Sequence, residues 1–228
     1  MTRYSFILFF ALTTALTATA QPNNYRASRD SDPEAKAIVD ALKAKYEGYS
    51  SISADFTVET ALAERPVEKQ SGTLSRSGDK FHFKMGTQEA FSDGKALYLV
   101  LNDNKEVQIN NLPDEGDDTG GILTPQSMLS FYANGGFVLA LVDERSEGGK
   151  VLQYIEMKPV DRNGDYSKMR MVVDKKAKEI VEIKAFAKDG SRFTFTLNKV
   201  RANQALPATL FAYNKDRYPG YHLEDLRY

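Results

Sequence analysis

Phe81-His82-Phe83-Lys84-Met85, a short connector, and then Ser92-Asp93-Gly94-Lys95-Ala96-Leu97-Tyr98-Leu99-Val100-Leu101 is the stretch on which the reading of this chain turns. Phe81, Phe83 and Met85 alternate with His82 and Lys84. That places three large apolar groups on one face of a strand and polar groups on the other. Asp93-Gly94 is a hairpin signal, because glycine supplies the positive φ that tight primed turns require. From Leu97 to Leu101 every position is apolar, which predicts a second strand covered on both faces. The stretch therefore predicts a sheet floor with something lying over it.

Ahead of this floor the chain changes character twice. Arg3, the run Phe6 to Leu12 and Ala18-Thr19-Ala20 before Gln21 form a positive tip, a short apolar core and a small-residue cleavage site. Residues 1–20 are thus expected to be a secretory signal peptide cut after Ala20, the run being too short to span a bilayer. The polar residues that follow, 21–33, are expected to form a mobile mature N-terminus. Asp32 then suits an N-cap, Pro33 the first helical position and Glu34 the first turn. Ala35, Ile38, Ala41, Leu42, Lys45, Tyr46 and Tyr49 recur near helical spacing up to Gly48, predicting one amphipathic helix.

Composition narrows the function classes. The sequence has 228 residues, 30 basic and 31 acidic, with two histidines and no cysteine. The lack of cysteine removes disulfides, thiol nucleophiles, a lipidation cysteine and thiolate-bound zinc. A near-balanced charge with no basic run argues against nucleic acid and against a strong electrostatic grip on membranes. Residues 34–228 are long enough for one domain with a sizeable core.

Beyond the helix the apolar period becomes two. Ala54, Phe56 and Val58 begin a series of strands that continues with Ser71–Ser75, the opening stretch and Val107/Ile109. It resumes with Phe137–Val142, Val151–Met157, Met169–Val173, Ile180–Phe186 and Phe193–Leu197. Asn163-Gly164 and Asp189-Gly190 mark hairpins. Between the two groups lies an acidic, Gly-rich loop, Pro113 to Gly121, and then Thr124-Pro125, which can cap a second short helix bearing Met128, Leu129, Phe131 and Tyr132. The acidic loop lacks the spaced ligands of a calcium site. Asp161, Asn163 and Asp165 also fail that pattern, since glycine falls at the fourth place instead of the sixth. No metal or other cofactor is expected. About eleven antiparallel strands and two helices make a mainly β (α+β) chain, and a sheet this long must curl to bury a face. The pattern by itself allows an open barrel, a closed barrel or a sandwich.

No nucleophile elbow, zinc motif or phosphate loop is present, and His82 and His222 read as surface and tail residues without a catalytic role. The chain is not expected to be an enzyme. A lipid hydrolase would have to draw on one of these two histidines.

Ser92-Asp93-Gly94-Lys95 with Leu97-Tyr98, the preceding aromatic strand, Thr124-Pro125-Gln126-Ser127-Met128-Leu129, and the close Tyr218-Pro219-Gly220 to Asp225-Leu226-Arg227 together resemble the outer-membrane lipoprotein carrier (LolA-like) family, and the ending resembles its Bacteroidetes-type members. The resemblance implies an incomplete antiparallel β-barrel with a helical lid. It further implies a periplasmic, monomeric chaperone for acylated lipoproteins, served by an inner-membrane ABC-type release complex and an outer-membrane acceptor. Leu42, Phe56, Phe81, Phe83, Met85, Tyr98, Met128, Leu129, Phe131 and Tyr132 are the expected lipid-binding residues. The bland alternative for the aromatic and Met positions is ordinary core. A carrier needs such a lining because a 16-carbon chain loses roughly 12 kcal/mol on entering water, at about 0.8 kcal/mol per CH₂. In this family an arginine before the aromatic strand is associated with holding the lid closed. Here Ser77-Gly78 occupies that place and Arg76 comes one residue early, so a one-residue slip could turn it to the wrong face. The competing class is a periplasmic sensor or regulatory domain of the same architecture that binds a lipid or protein signal without transporting it.

Overall fold

The computed structural model describes residues 28–112 and 135–227. Helix α1 (Pro33–Glu47) is followed by β1 (Ser51–Ala61), β2 (Glu68–Ser77), β3 (Lys80–Met85), β4 (Gln88–Ser92), β5 (Ala96–Leu101) and β6 (Glu106–Asn111). The second group is β7 (Phe137–Glu147), β8 (Lys150–Pro159), β9 (Tyr166–Asp174), β10 (Glu179–Ala187) and β11 (Arg192–Ala202), and β12 (His222–Asp225) comes last. All twelve belong to one sheet in the order β12-β6-β5-β4-β3-β2-β1-β11-β10-β9-β8-β7. Two antiparallel meanders thus meet where β11 pairs with β1. β12 runs parallel to β6, and the sheet stays open, as an incomplete barrel.

Two strands exceed the sequence expectation. Gln88–Ser92, read as a connector, is β4. Gly86, at φ 57°, makes the turn into it very short. Its alternation is masked because a charged residue, Glu89, is buried beside Ala90 and Phe91. β12 is exposed at all four residues and has no apolar pattern to find. The predicted second helix, Thr124 to Tyr132, lies outside the described residues.

α1 starts where its cap predicts: the Asp32 side chain accepts from the Glu34 amide at 2.9 Å and Pro33 opens the helix. Gly48 ends it. Ala35, Val39, Leu42 and Tyr46 are its buried residues. They pack on Ile52, Ala54 and Phe56 of β1, Leu74 and Phe83 of β2 and β3, and Leu139, Ile155, Met157, Met171, Val173, Ile180, Ile183 and Leu197 of the second meander. Residues paired across neighbouring strands share a face, so this one core defines the concave side of the sheet.

The helix N-terminus also shields an edge. The Asp32 amide donates to Leu139 O at 2.8 Å, the Leu139 amide donates to Ser31 Oγ at 3.0 Å, and the Leu141 amide donates to the Asp32 carboxylate at 3.3 Å. The rest of β7 carries Asp143, Glu144, Arg145 and Glu147, charges that discourage pairing with another chain.

The convex side differs between the meanders. Over β8–β10 it is a solvated charge ladder, with Lys168 Nζ 2.9 Å from Glu156 Oε2. Over β3–β6 the C-terminal segment lies across it, stacking Tyr213 and Tyr218 onto Tyr98 and Phe91 with rings nearly parallel at 6.0 and 6.4 Å. One buried carboxylate ties this cover down. Glu89 Oε1 meets His82 Nε2 at 2.9 Å, accepts from Arg217 Nη2 at 3.1 Å and accepts from the Tyr218 hydroxyl at 3.1 Å. Burial pushes the Glu89 carboxyl upward. The hydrogen bond and charge of His82, the Tyr218 hydroxyl and the Lys84 ammonium outweigh it and hold the group below its ordinary value. His82 is therefore buried and partnered, not at the surface as its polar position in the alternation predicts.

Candidate functional site

The concave face has two ends. At one, α1 lies against the floor and the space is filled. Leu42 and Phe56 are fully buried, and Phe56 stacks on Phe83 at 5.5 Å and meets Phe195 at 5.1 Å with the rings tilted by 36°. Its ring lies so close over β2 that a Cβ on Gly72 would come within 2.4 Å of Phe56 Cζ and 2.5 Å of Lys84 O. Glycine is required there by close approach. Met85 packs, half-buried, against the same cluster.

At the other end, across β3–β6, a separate cluster forms from Phe81, Ala90 and Leu97, with Leu99 and Leu112 packed against it. Register puts it on the concave face: Phe83 of the α1 cluster is opposite Ala90, Ala90 is opposite Leu99, and Phe81, Ser92, Leu97 and Asn110 form one row across four strands. Gln108 is opposite Leu99, and its amide donates to Glu106 at 2.6 Å. This end has an apolar floor with polar residues at its β6 rim.

Arg76 stands between the ends. It is opposite Phe81 on β3 and Ile52 on β1, so it shares the concave face. The tight Gly78-Asp79 turn pairs Ser77 with Lys80 and sets that register. Its Nη2 donates to Tyr46 O at 2.9 Å and Tyr49 O at 3.3 Å. A guanidinium on the carbonyls at a helix C-terminus satisfies orphan acceptors and opposes the negative end of the helix dipole. Two further contacts hold the same turn: Lys45 Nζ donates to Ala177 O at 2.6 Å, and the Ile180 amide donates to the Tyr46 hydroxyl at 3.1 Å. Burial, with the nearby Glu179 charge, leaves that phenol pushed up to about 12, so it stays neutral.

The ten expected lining residues are thus divided. Leu42, Phe56, Phe83 and Met85 meet under α1, and Phe81 belongs to the far cluster. Tyr98 is on the convex face, stacked 4.8 Å from Phe91, and is not brought to the others. Met128, Leu129, Phe131 and Tyr132 lie outside the described residues. Sequence reading missed Ala90, Leu99 and Asn110. Parity along β5 was the available signal, since Leu97 and Leu99 alternate with Tyr98. Away from this face, a cleft of about 300 Å³ at the end of β8 and β9 is lined by Lys158, Arg162, Tyr166, Ser167 and Lys188 among others. Among the described residues no cluster of His, Asp or Glu is arranged to hold a metal ion, and no helix is long and apolar enough to cross a membrane.

Fold and face together define a half-barrel with an apolar floor and a helix laid across it. Residues 47–214 match the family described as outer membrane lipoprotein carrier protein LolA, and the chain belongs to that family. Among curated proteins none matches it by sequence. Several solved structures are similar to this chain. An uncharacterized conserved protein from Thermus thermophilus is similar at 12% identity and TM-score 0.55, over 86% of this chain and 99% of that one. A putative outer membrane lipoprotein-sorting protein domain from Vibrio parahaemolyticus is similar at 14% identity and TM-score 0.45, over 81% and 98%. A LolA superfamily protein from Nitrosomonas europaea is similar at 13% identity and TM-score 0.41, over 78% and 97%.

Proposed function

We propose that this protein is a periplasmic lipoprotein carrier. It takes acylated lipoproteins from an inner-membrane ABC-type release complex, shelters their acyl chains on the concave face and passes them to an outer-membrane acceptor. The observation that carries the reading is the apolar cluster of Phe81, Ala90 and Leu97 with Leu99 packed against it, which no residue of α1 joins, in a chain of the carrier family. Under α1 the floor is occupied by protein side chains. The β3–β6 cluster of Phe81, Ala90 and Leu97 is buried as well, but no residue of α1 joins it, so an acyl chain can enter there without displacing the helix. Arg76 acts as the lid holder, fixing the C-terminal end of α1 while its N-terminal end is anchored on β7. Residues 1–20 supply the export signal. The protein performs no chemistry on its cargo, and the apolar burial that favours loading is reversed only when an acceptor offers a better apolar environment.

The test is release. The purified chain from Gln21 onward is incubated with spheroplasts of the source organism, and the supernatant is analysed by mass spectrometry. Soluble acylated lipoproteins in complex with the protein are expected, together with their loss in a folded Leu99→Asp variant. A folded protein that leaves every lipoprotein on the membrane would overturn the carrier role and favour a sensor domain that binds without transporting.

A further inference from the structure

Asn110 stands out on the β6 side of the concave face. It is directly opposite Leu97, and Leu112, two residues on, belongs to the same apolar cluster. Its amide nitrogen is sealed from solvent and has no hydrogen-bond partner among the described residues. Neighbouring polar groups on this face are satisfied: Ser92 Oγ accepts from the Gly94 amide at 3.0 Å, and the Gln108 amide reaches Glu106. A buried donor without an acceptor destabilises a fold, and a leucine would fit the cluster without that cost. An unpaired donor in one row with Phe81 and Leu97 has the form of a site that waits for one acceptor on an otherwise apolar ligand.

We propose that Asn110 is the polar anchor of an acyl-binding subsite formed with Phe81, Ala90, Leu97, Leu99 and Leu112. Its N–H donates to the carbonyl oxygen of the ester or amide through which an acyl chain is attached, and the hydrocarbon runs over the cluster. The inference rests on the carrier reading and sharpens it: the site selects carbonyl-linked acyl chains over hydrocarbon joined in any other way. A ligand carbonyl satisfies the donor only when cargo is bound, so the residue favours the loaded state without strengthening the empty fold.

Two lipids separate these possibilities. Monopalmitoylglycerol and its ether analogue hexadecylglycerol have the same chain length and head group and differ in the carbonyl. Their affinities for the full chain are measured by titration calorimetry, for the native protein and for Asn110→Leu. The native protein is expected to prefer the ester by about three- to tenfold, the range of one net hydrogen bond. Asn110→Leu is expected to erase the preference, to keep its affinity for the ether and to melt no lower than the native protein. Should leucine prevent folding, Asn110→Ala carries the same expectation for the lipid pair. Equal native affinities for the two lipids, or a preference that survives in the variant, would overturn the anchor while leaving the carrier reading intact. Binding of neither lipid would overturn the carrier reading and the anchor with it.

Discussion

The two ends of the concave face are built from similar residues and put to different use. Under α1, Leu42, Val39 and Phe56 fill the space between helix and floor, and the helix is tied at its start by Asp32 to β7 and at its end by Arg76 to β2. Across β3–β6, Phe81, Leu97 and Leu99 form a smaller cluster with an unpaired amide in its row. Apolar character alone does not mark a binding surface. What distinguishes the far end is that α1 does not pack on its cluster and that a polar group there has been left unsatisfied.

Truncation gives the largest contrast. Phe56→Ala is expected to cost about 3–5 kcal/mol in denaturant unfolding, because a fully buried ring packed on two others leaves a cavity. Leu99→Ala, at a half-buried position, is expected to cost roughly 1–2 kcal/mol. Equal losses would mean that the far end is ordinary core. Next in size is Arg76→Leu, which removes donors from two carbonyls at the α1 C-terminus and is expected to cost about 1–3 kcal/mol. Hydrogen exchange should then rise in the last turn of α1 and stay unchanged at β5. Uniform exchange would detach Arg76 from the helix.

Acid sharpens the comparison from the convex side. Glu89 titrates below its ordinary 4.5 in the folded protein. Its contribution is present in full above that value and is lost as the pH falls through the lower folded-state value. The C-terminal segment should therefore loosen from β4 in that window, seen in the NMR signals of Tyr213 and Tyr218, while α1 remains packed. Loosening of α1 first would contradict the assignment of Glu89 as the tie.

Much of the architecture was legible locally. Asp32-Pro33 and Gly48 bounded α1, and the unbroken apolar run Leu97–Leu101 correctly announced a strand covered on both faces. What covers its convex side could not be read from spacing. Tyr218 bonds Glu89 across 129 residues of sequence, and a buried Glu–His pair looks like a solvated one until its partner arrives. The same separation misassigned Tyr98: in a strand buried on both sides, apolarity does not reveal which face a residue joins. Arg76 posed the converse problem, since one residue of offset matters only once the Gly78-Asp79 turn has set the register. Asn110 gave no signal in sequence, because an unsatisfied amide is a property of its surroundings.

The most direct test of the account is where an acyl chain sits. A palmitoylglycerol carrying a nitroxide on its chain, titrated into isotopically labelled protein, should broaden the amide signals of Phe81, Leu97, Leu99 and Asn110 and spare those of Leu42 and Phe56. Broadening centred beneath α1, with the β3–β6 signals untouched, would contradict the division of the concave face into a packed end and a binding end.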